Sequence, residues 1–455
     1  MAETHPMQAM AYANRRSANL QVQREVIFRK AAFFFLSILL FVIPWENAVV
    51  IDGFGTISRV VAIPAFGMAL LAILECGTLR MLVPQQIVML AFLIWGGFTY
   101  FWTFSPSATV TSIYTFVQLF MLVWLIWEFA QSRKQQLLLL QAYALGSIVS
   151  SGVTLLGFFN SPGLHSGRYS GLGFNPGDLA FILALALPIS LYLAVQERRK
   201  ILVWVDGAAA VLALSAIVLT ASRVSILACI PTLFMLPFLF PKLRLSRNLL
   251  ALVFIALAGC GSWLFMPESS WSRLSTIGTA IASGTLTERT TISQIGWQVF
   301  RRAPFHGVGV GAYESAVEHA VGWASAAGVA DMGSQADPLV PHNTFFSILV
   351  EQGITGCGLF VALLIALVFS ASKLAKIDRL FWLCILITWA IGAFDMPWDQ
   401  RKPTWFIFGL LISAAAAKPL VEARSSAMHR LRGQRPEVYA EARSSTGISL
   451  SQGSS

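Results

Sequence analysis

The chain has 455 residues, 56% of them hydrophobic and only 12% charged, with 14 Trp, 33 Phe and a formal net charge of +10. That ratio excludes an ordinary soluble domain. The positive charge is spread between apolar runs instead of forming one patch, which excludes a nucleic-acid surface.

Apolar stretches of about 20 residues recur from Ala31 to near Leu420, each long enough to cross a hydrocarbon core of roughly 30 Å. The pattern predicts an all-α polytopic integral membrane protein of about 12 transmembrane helices. Residues 1–30 are polar and basic and read as a cytoplasmic segment. The apolar run after them lacks a small-residue cleavage site and reads as a retained span, not a removed signal peptide. Nine spans are expected within 31–266, at 31–49, 57–75, 82–104, 109–130, 136–159, 173–196, 201–220, 224–241 and 248–266. Residues 267–341 are the one long non-apolar insertion, a loop expected to contain short helices. Three more spans follow within 342–419, at 343–371, 379–396 and 403–419, and the Arg-, Ser- and Gly-rich stretch 420–455 reads as a disordered cytoplasmic tail. Most of the five cysteines lie inside apolar runs, as small packing residues and not as a disulfide framework.

With the N-terminus inside, most of the 32 basic residues fall on cytoplasmic connections, as the positive-inside rule requires. Arg59, Arg168, Arg223, Arg273, Arg289, Arg301, Arg302, Arg401 and Lys402 fall on the far side, against that bias. Arg223 stands out, because "IVLTASRVSILAC" leaves room only for a tight turn between two spans, with Thr220 or Ser222 as helix N-cap. An Arg held there can snorkel to headgroups or meet a phosphate at that level.

Loops as long as 267–341 commonly act as lids or binding segments. In "RTTISQIGWQVFRRAPFHGVGVGAYES", Ile292, Ile295, Val299 and Phe300 share one helical face, Pro304 ends the helix, and "HGVGVG" supplies a flexible turn. The amphipathic pattern fits a helix lying flat on the membrane surface. The stretch "PHNTFFSILVEQGITGCGLF" then places His342, Asn343 and Glu351 at the mouth of a span, where ionisable groups need partners or a task. Asn343 or Thr344 is the expected N-cap. Glu351 lies roughly 12 Å below the helix start, which favours a structural bond to a neighbouring helix over direct chemistry. Gly353, Gly356 and Gly358 are expected to allow close helix packing.

The sequence has no Walker loop, no G-x-S-x-G, no H-E-x-x-H and no Asp-x-Asp pair to hold a metal on a nucleotide diphosphate. The far side offers arginines, one well-placed histidine, and carboxylates at Asp395 and Asp399. Those groups suit transfer of a sugar from a polyprenyl diphosphate to a hydroxyl. The leaving diphosphate needs charge neutralisation, which guanidinium forks supply, and the attacking hydroxyl benefits from a base near neutrality.

Four stretches in order resemble the O-antigen ligase and polymerase superfamily: "SGRYSGLGFNPGDLAFILALALP", "LTASRVSIL", "ERTTISQIGWQVFRRAPFHGVGVGAY" and "PHNTFFSILVEQGITG". The resemblance covers about residues 160 to 410. It implies a metal-independent, inverting glycosyltransferase without cofactor, set in the bacterial inner membrane with its site facing the periplasm. It implies that His342 activates or orients the acceptor hydroxyl, and that Arg223, Arg289 and, more weakly, Arg168 hold undecaprenyl diphosphate. Asn343 and Glu351 would support the site, and the family carboxylate near the last spans maps to Asp395 or to nearby Asp399. A single dominant late loop favours a ligase joining a polyprenyl-linked glycan to lipid A–core. The alternatives are a polymerase extending the glycan on its carrier, a pilin-type protein ligase, or, in another class, a lipid or polysaccharide transporter. A transporter should carry inverted repeats, and none is visible.

Overall fold

A computed structural model of the chain describes residues 27–53, 55–160, 169–196, 199–239, 287–326 and 340–417. Most of the predicted cytoplasmic N-terminal segment, the predicted span 248–266, Arg168, Arg273, the loop stretches 267–286 and 327–339 and the predicted tail lie outside these residues.

The helices in chain order are α1 (Ile27–Ala48), α2 (Ile57–Cys76), α3 (Pro84–Phe98), α4 (Pro106–Phe129), α5 (Arg133–Asn160), α6 (Pro176–Gln196) and α7 (Lys200–Leu219). Then come α8 (Arg223–Leu239, with a turn at Cys229), α9 (Thr287–Arg302), α10 (Tyr313–Ala326), α11 (Thr344–Ser372), α12 (Lys376–Ala393) and α13 (Lys402–Ala417). A two-stranded hairpin, β1 (Val50–Ile51) with β2 (Gly55–Thr56), joins α1 to α2. Among the described residues seven helices are long and apolar enough to cross a membrane, and α8 and α13 are shorter apolar helices. The chain is a helical, multi-pass membrane protein, and the expected count of 12 spans is not reached within the described part. Cys76, Cys229, Cys357 and Cys384 form no disulfide.

The core is centred on α6. Every residue from Leu179 to Leu193 is buried, as expected of a helix that is apolar all round. It packs against α5, α7 and α12, while α3 lies along α11. At the α1–α5 crossing, Ser147, Ser150, Ser151 and Thr154 form a buried small-residue stripe, and Ser150 Oγ donates to the Pro44 carbonyl at 2.6 Å. Small residues let backbones approach, and their hydroxyls can bond carbonyls of the facing helix.

One end of the bundle is tied by ion pairs. Arg133 forks onto Asp378 at 2.6 and 3.0 Å and also bonds the Tyr192 hydroxyl. Arg29 pairs with Glu128, whose second oxygen accepts the Arg80 N–H. Arg80 stacks over Trp127 at 3.4 Å, and its guanidinium pKa is lowered by burial, against the pull of Glu128. The opposite end gathers the C-termini of α1, α3, α5, α7 and α12 with the N-termini of α2, α4, α6, α8, α11 and α13. This is the end that carries His342 and Arg223.

Candidate functional site

The N-terminus of α11 is built to be rigid. Asn343 is its N-cap, in extended conformation, and its side-chain oxygen accepts the Phe346 N–H at 3.0 Å. Thr344 starts the helix instead of capping it. Its hydroxyl donates to the Met396 carbonyl at 2.6 Å and accepts the Trp398 N–H at 2.8 Å. Those bonds knot α11 to the α12–α13 loop, with half-buried His342 two residues before the knot. The loop is held from below by α6: the Trp398 indole and Arg401 both bond Asp178, in the first turn of α6, at 3.3 and 2.9 Å. Lys402 pairs with Glu46 at 2.6 Å.

Arg401 and Lys402 are therefore neutralised by carboxylates, although sequence reading set them among the cations standing against the topological bias. It missed Asp178 and Glu46 because each sits at the edge of an apolar run. The one available signal was their presence near spans otherwise free of acids.

The two candidate aspartates near the last helices differ in setting. Asp395 is half-buried and adjoins Met396, beside the α11 N-terminus. Asp399 is 2% exposed, and one of its carboxylate oxygens has no hydrogen-bond partner among the described residues. Burial pushes its carboxyl up to about 6, with its own and the Gln400 backbone N–H and the Arg401 charge pulling the other way.

Arg223 opens α8, as the tight-turn reading requires. Ala221 adopts a left-handed φ of 52°, and Ser222 holds the N-cap backbone position. The Ser222 hydroxyl bonds Ser225 Oγ at 2.8 Å, so the cap is one of backbone geometry without the expected side-chain bond. Tyr169 N–H bonds the Leu219 carbonyl at 3.1 Å, so the stretch that follows Arg168 runs against this turn. Arg289 lies in the first turn of α9.

The apolar face of α9 is turned to protein. Val299 and Phe300, with Ile292 and Ile295 beside them, pack against Val308, Tyr313, Val317 and Val350. The first half of α11 needs an apolar cover there, and α9 with α10 provides it. The Tyr313 hydroxyl donates to the Ile292 carbonyl at 3.3 Å; burial and the nearby Glu351 raise its pKa.

The central surprise is a break in α11. Gly353 has φ 69° and ψ −171°, a region essentially closed to other residues. The break frees carbonyls and N–H groups, and residues 304–311 fill the gap. Val308 and Gly309 N–H donate to the Val350 and Glu351 carbonyls at 3.1 and 2.9 Å. In return, Ile354 and Thr355 N–H donate to the Pro304 and Phe305 carbonyls at 2.8 and 3.5 Å. The Trp95 indole donates to the Gln352 carbonyl at 2.9 Å. On the other flank, Phe104 N–H bonds the Val308 carbonyl and Val310 N–H bonds Thr99 Oγ1, both at 3.0 Å. "HGVGVG" is thus a pinned strap and not a flexible turn. Gly353 is its socket and not a packing notch, and Gly358 faces open space.

Glu351 bonds the end of this strap and the first residue of the neighbouring helix α10, through the Gly311 and Tyr313 N–H groups. Its carboxylate accepts the Gly311 N–H at 2.8 Å and the Ser347 hydroxyl at 3.4 Å, and Asp399 lies within electrostatic reach. Gln352 beside it is fully buried, with both amide atoms unpartnered among the described residues. Beyond the strap, Trp95, Phe98, Trp102 and His306 line an open groove of about 470 Å³. Among the described residues no three His, Cys, Asp or Glu side chains group as ligands for a metal ion.

Residues 208–361 match a family model described as O-antigen ligase. No curated protein matches the chain. The matched stretch runs from α7 into α11 and contains Arg223, Arg289, the strap, His342, Glu351 and Gly353. Asp178, Asp395, Asp399 and Arg401 lie outside it.

Proposed function

Taking as premise that the chain belongs, over residues 208–361, to the O-antigen ligase family, we propose that it transfers a glycan from undecaprenyl diphosphate to lipid A–core. The reaction is placed at the periplasmic face of the bacterial inner membrane, with the 267–341 loop on that side. The observation that carries this reading is topological. Arg223, which opens α8, and His342, two residues before α11, are far apart in sequence but lie at the same end of the bundle, each beside a fixed turn or cap.

In the proposed reaction the acceptor hydroxyl oxygen attacks the anomeric carbon and the bond from that carbon to the diphosphate oxygen breaks with inversion. His342, set on the Thr344 knot, orients the hydroxyl and receives its proton. Arg223 and Arg289 neutralise the charge growing on the departing diphosphate, in a partly desolvated place where charge-assisted bonds gain strength. Asn343 keeps the His342 backbone in place, and Asp395 supports that end of α11. Arg168 stands as an additional contact to the diphosphate. No metal or cofactor enters this scheme.

The test uses purified protein, a polyprenyl-diphosphate-linked glycan and two acceptors, lipid A–core and a second donor molecule. Product on lipid A–core is expected. Chain growth on the carrier would move the protein to the polymerase branch with the same site, and no transfer to either acceptor would overturn the reading.

A further inference from the structure

We propose that Glu351 is a positioning residue that locks the 304–311 strap into the break of α11 and so sets α9, with Arg289, relative to His342. This rests on the donor-clamp reading above.

The backbone exchange between strap and α11 runs from Pro304 to Gly309, and there the main-chain partners on α11 end. The next α11-side bond comes from a side chain: Glu351 takes the Gly311 N–H at 2.8 Å, while Ser347 holds its other oxygen. Gly311 lies two residues before α10, and Pro304 lies two residues after α9. Both helices therefore hang from the strap, and the carboxylate fixes the end nearer α10. Glu351 is buried, about two turns below His342 along the chain of α11. Its contacts are those of a clamp. Ser347 on its own helix, the Gly311 and Tyr313 amides on the strap side and the Asp399 carboxyl from the α12–α13 loop are what face it. Arg289 and His342 stand on elements joined by this clamp, so loosening it displaces one against the other without touching either.

The experiment measures donor binding and transfer kinetics for Glu351→Ala and Glu351→Gln, each alone and combined with Arg289→Ala. Glu351→Ala is expected to raise the donor KM about tenfold or more with a smaller fall in kcat. Glu351→Gln, which keeps an oxygen for Gly311, is expected to restore the donor KM to within about threefold and leave the pH profile unmoved. In the Arg289→Ala background the effect of Glu351→Ala should largely vanish, because no arginine remains to be positioned. A Glu351→Gln variant as defective as the alanine, with a shifted pH profile, would make Glu351 a proton carrier and overturn the proposal. So would an undiminished effect in the Arg289→Ala background. If Glu351→Ala does not purify as a monodisperse protein, Glu351→Met, similar in length and unable to accept the bond, takes its place. Unchanged donor binding in Arg289→Ala itself would refute the donor clamp; a weakened Arg289→Ala beside a normal Glu351→Ala would refute only the positioning role.

Discussion

Replacing Gly353 by Ala tests whether the break in α11 is a socket for the strap. A Cβ there would come inside contact distance of the Phe305 carbonyl and the His306 N–H. The backbone conformation alone costs a non-glycine residue about 1–3 kcal/mol. If the strap is displaced, four backbone bonds between it and α11 are lost, at about 1 kcal/mol each. The total runs from about 2 kcal/mol, if the strap yields locally, to about 6 kcal/mol if it leaves. At roughly 2 °C per kcal/mol, the apparent Tm in detergent should fall by about 4–12 °C. Gly358→Ala is the matched control. It lies in the same helix with a helical φ, and a Cβ there meets nothing within 4 Å, so helix propensity should make it neutral or slightly stabilising. Thermal unfolding followed by tryptophan fluorescence, on both variants in one detergent, gives the comparison. A Gly353→Ala protein no less stable than Gly358→Ala would mean that the strap does not depend on the break, and the socket reasoning would fail.

His342→Ala should reduce transfer by about 10²–10⁴-fold, the usual contribution of a general base, with folded protein recovered in normal yield; wild-type turnover would remove its role. Arg223→Ala and Arg289→Ala should each weaken donor affinity about 10- to 100-fold, since a bond to a charged group contributes about 1.5–3 kcal/mol, measured by titration with the lipid-linked glycan. Chelation with EDTA should leave the rate unchanged, whereas loss followed by recovery on adding Mg²⁺ would contradict a metal-free reaction. Asp399 has a folded pKa of about 6, above its ordinary 3.8, so the folded state binds its proton more tightly than the unfolded chain does. Stability tied to it is present below pH 4, falls as pH rises to about 6, and is flat above, a loss of about 3 kcal/mol. Asp399→Asn should therefore raise the Tm at pH 8 and barely change it at pH 4; an equal effect at both would put its cause elsewhere.

Much of the helical frame was legible because its signals are local. Apolar run length located α1, α2, α4, α5, α6, α7 and α11 to within a few residues, and the compact "TASRVS" turn and the Asn343 cap are read from three or four neighbouring residues. What stayed hidden depends on partners distant in sequence. A glycine at position 353 reads as a packing notch unless strap residues 304–311 are known to lie against it. The apolar face of α9 reads the same whether it meets lipid or the side of α11, because periodicity reports that a face is buried and not what buries it. Arg401 and Lys402 stood only as cations against the topological bias because their acids, Asp178 and Glu46, are 223 and 356 residues away. Arg168 and the predicted span 248–266 fall outside the described residues.

The location of those partners bears on how the site is divided along the chain. The segment matched by the family model brings the arginines, the strap and the histidine, but not what holds the histidine still. Thr344 is tied to Met396 and Trp398, Trp398 and Arg401 to Asp178, and Lys402 to Glu46. The support of the α11 N-terminus thus passes through α13 and α6 to α1. The Asp178–Arg401 pair is half exposed on the arginine side, so its direct energy is small, about 1 kcal/mol or less. Its value lies in geometry: near-attack placement of an acceptor hydroxyl tolerates errors well under 1 Å. On the proposed reading, the reacting groups lie in the matched segment and their precision comes from helices that the family match does not reach.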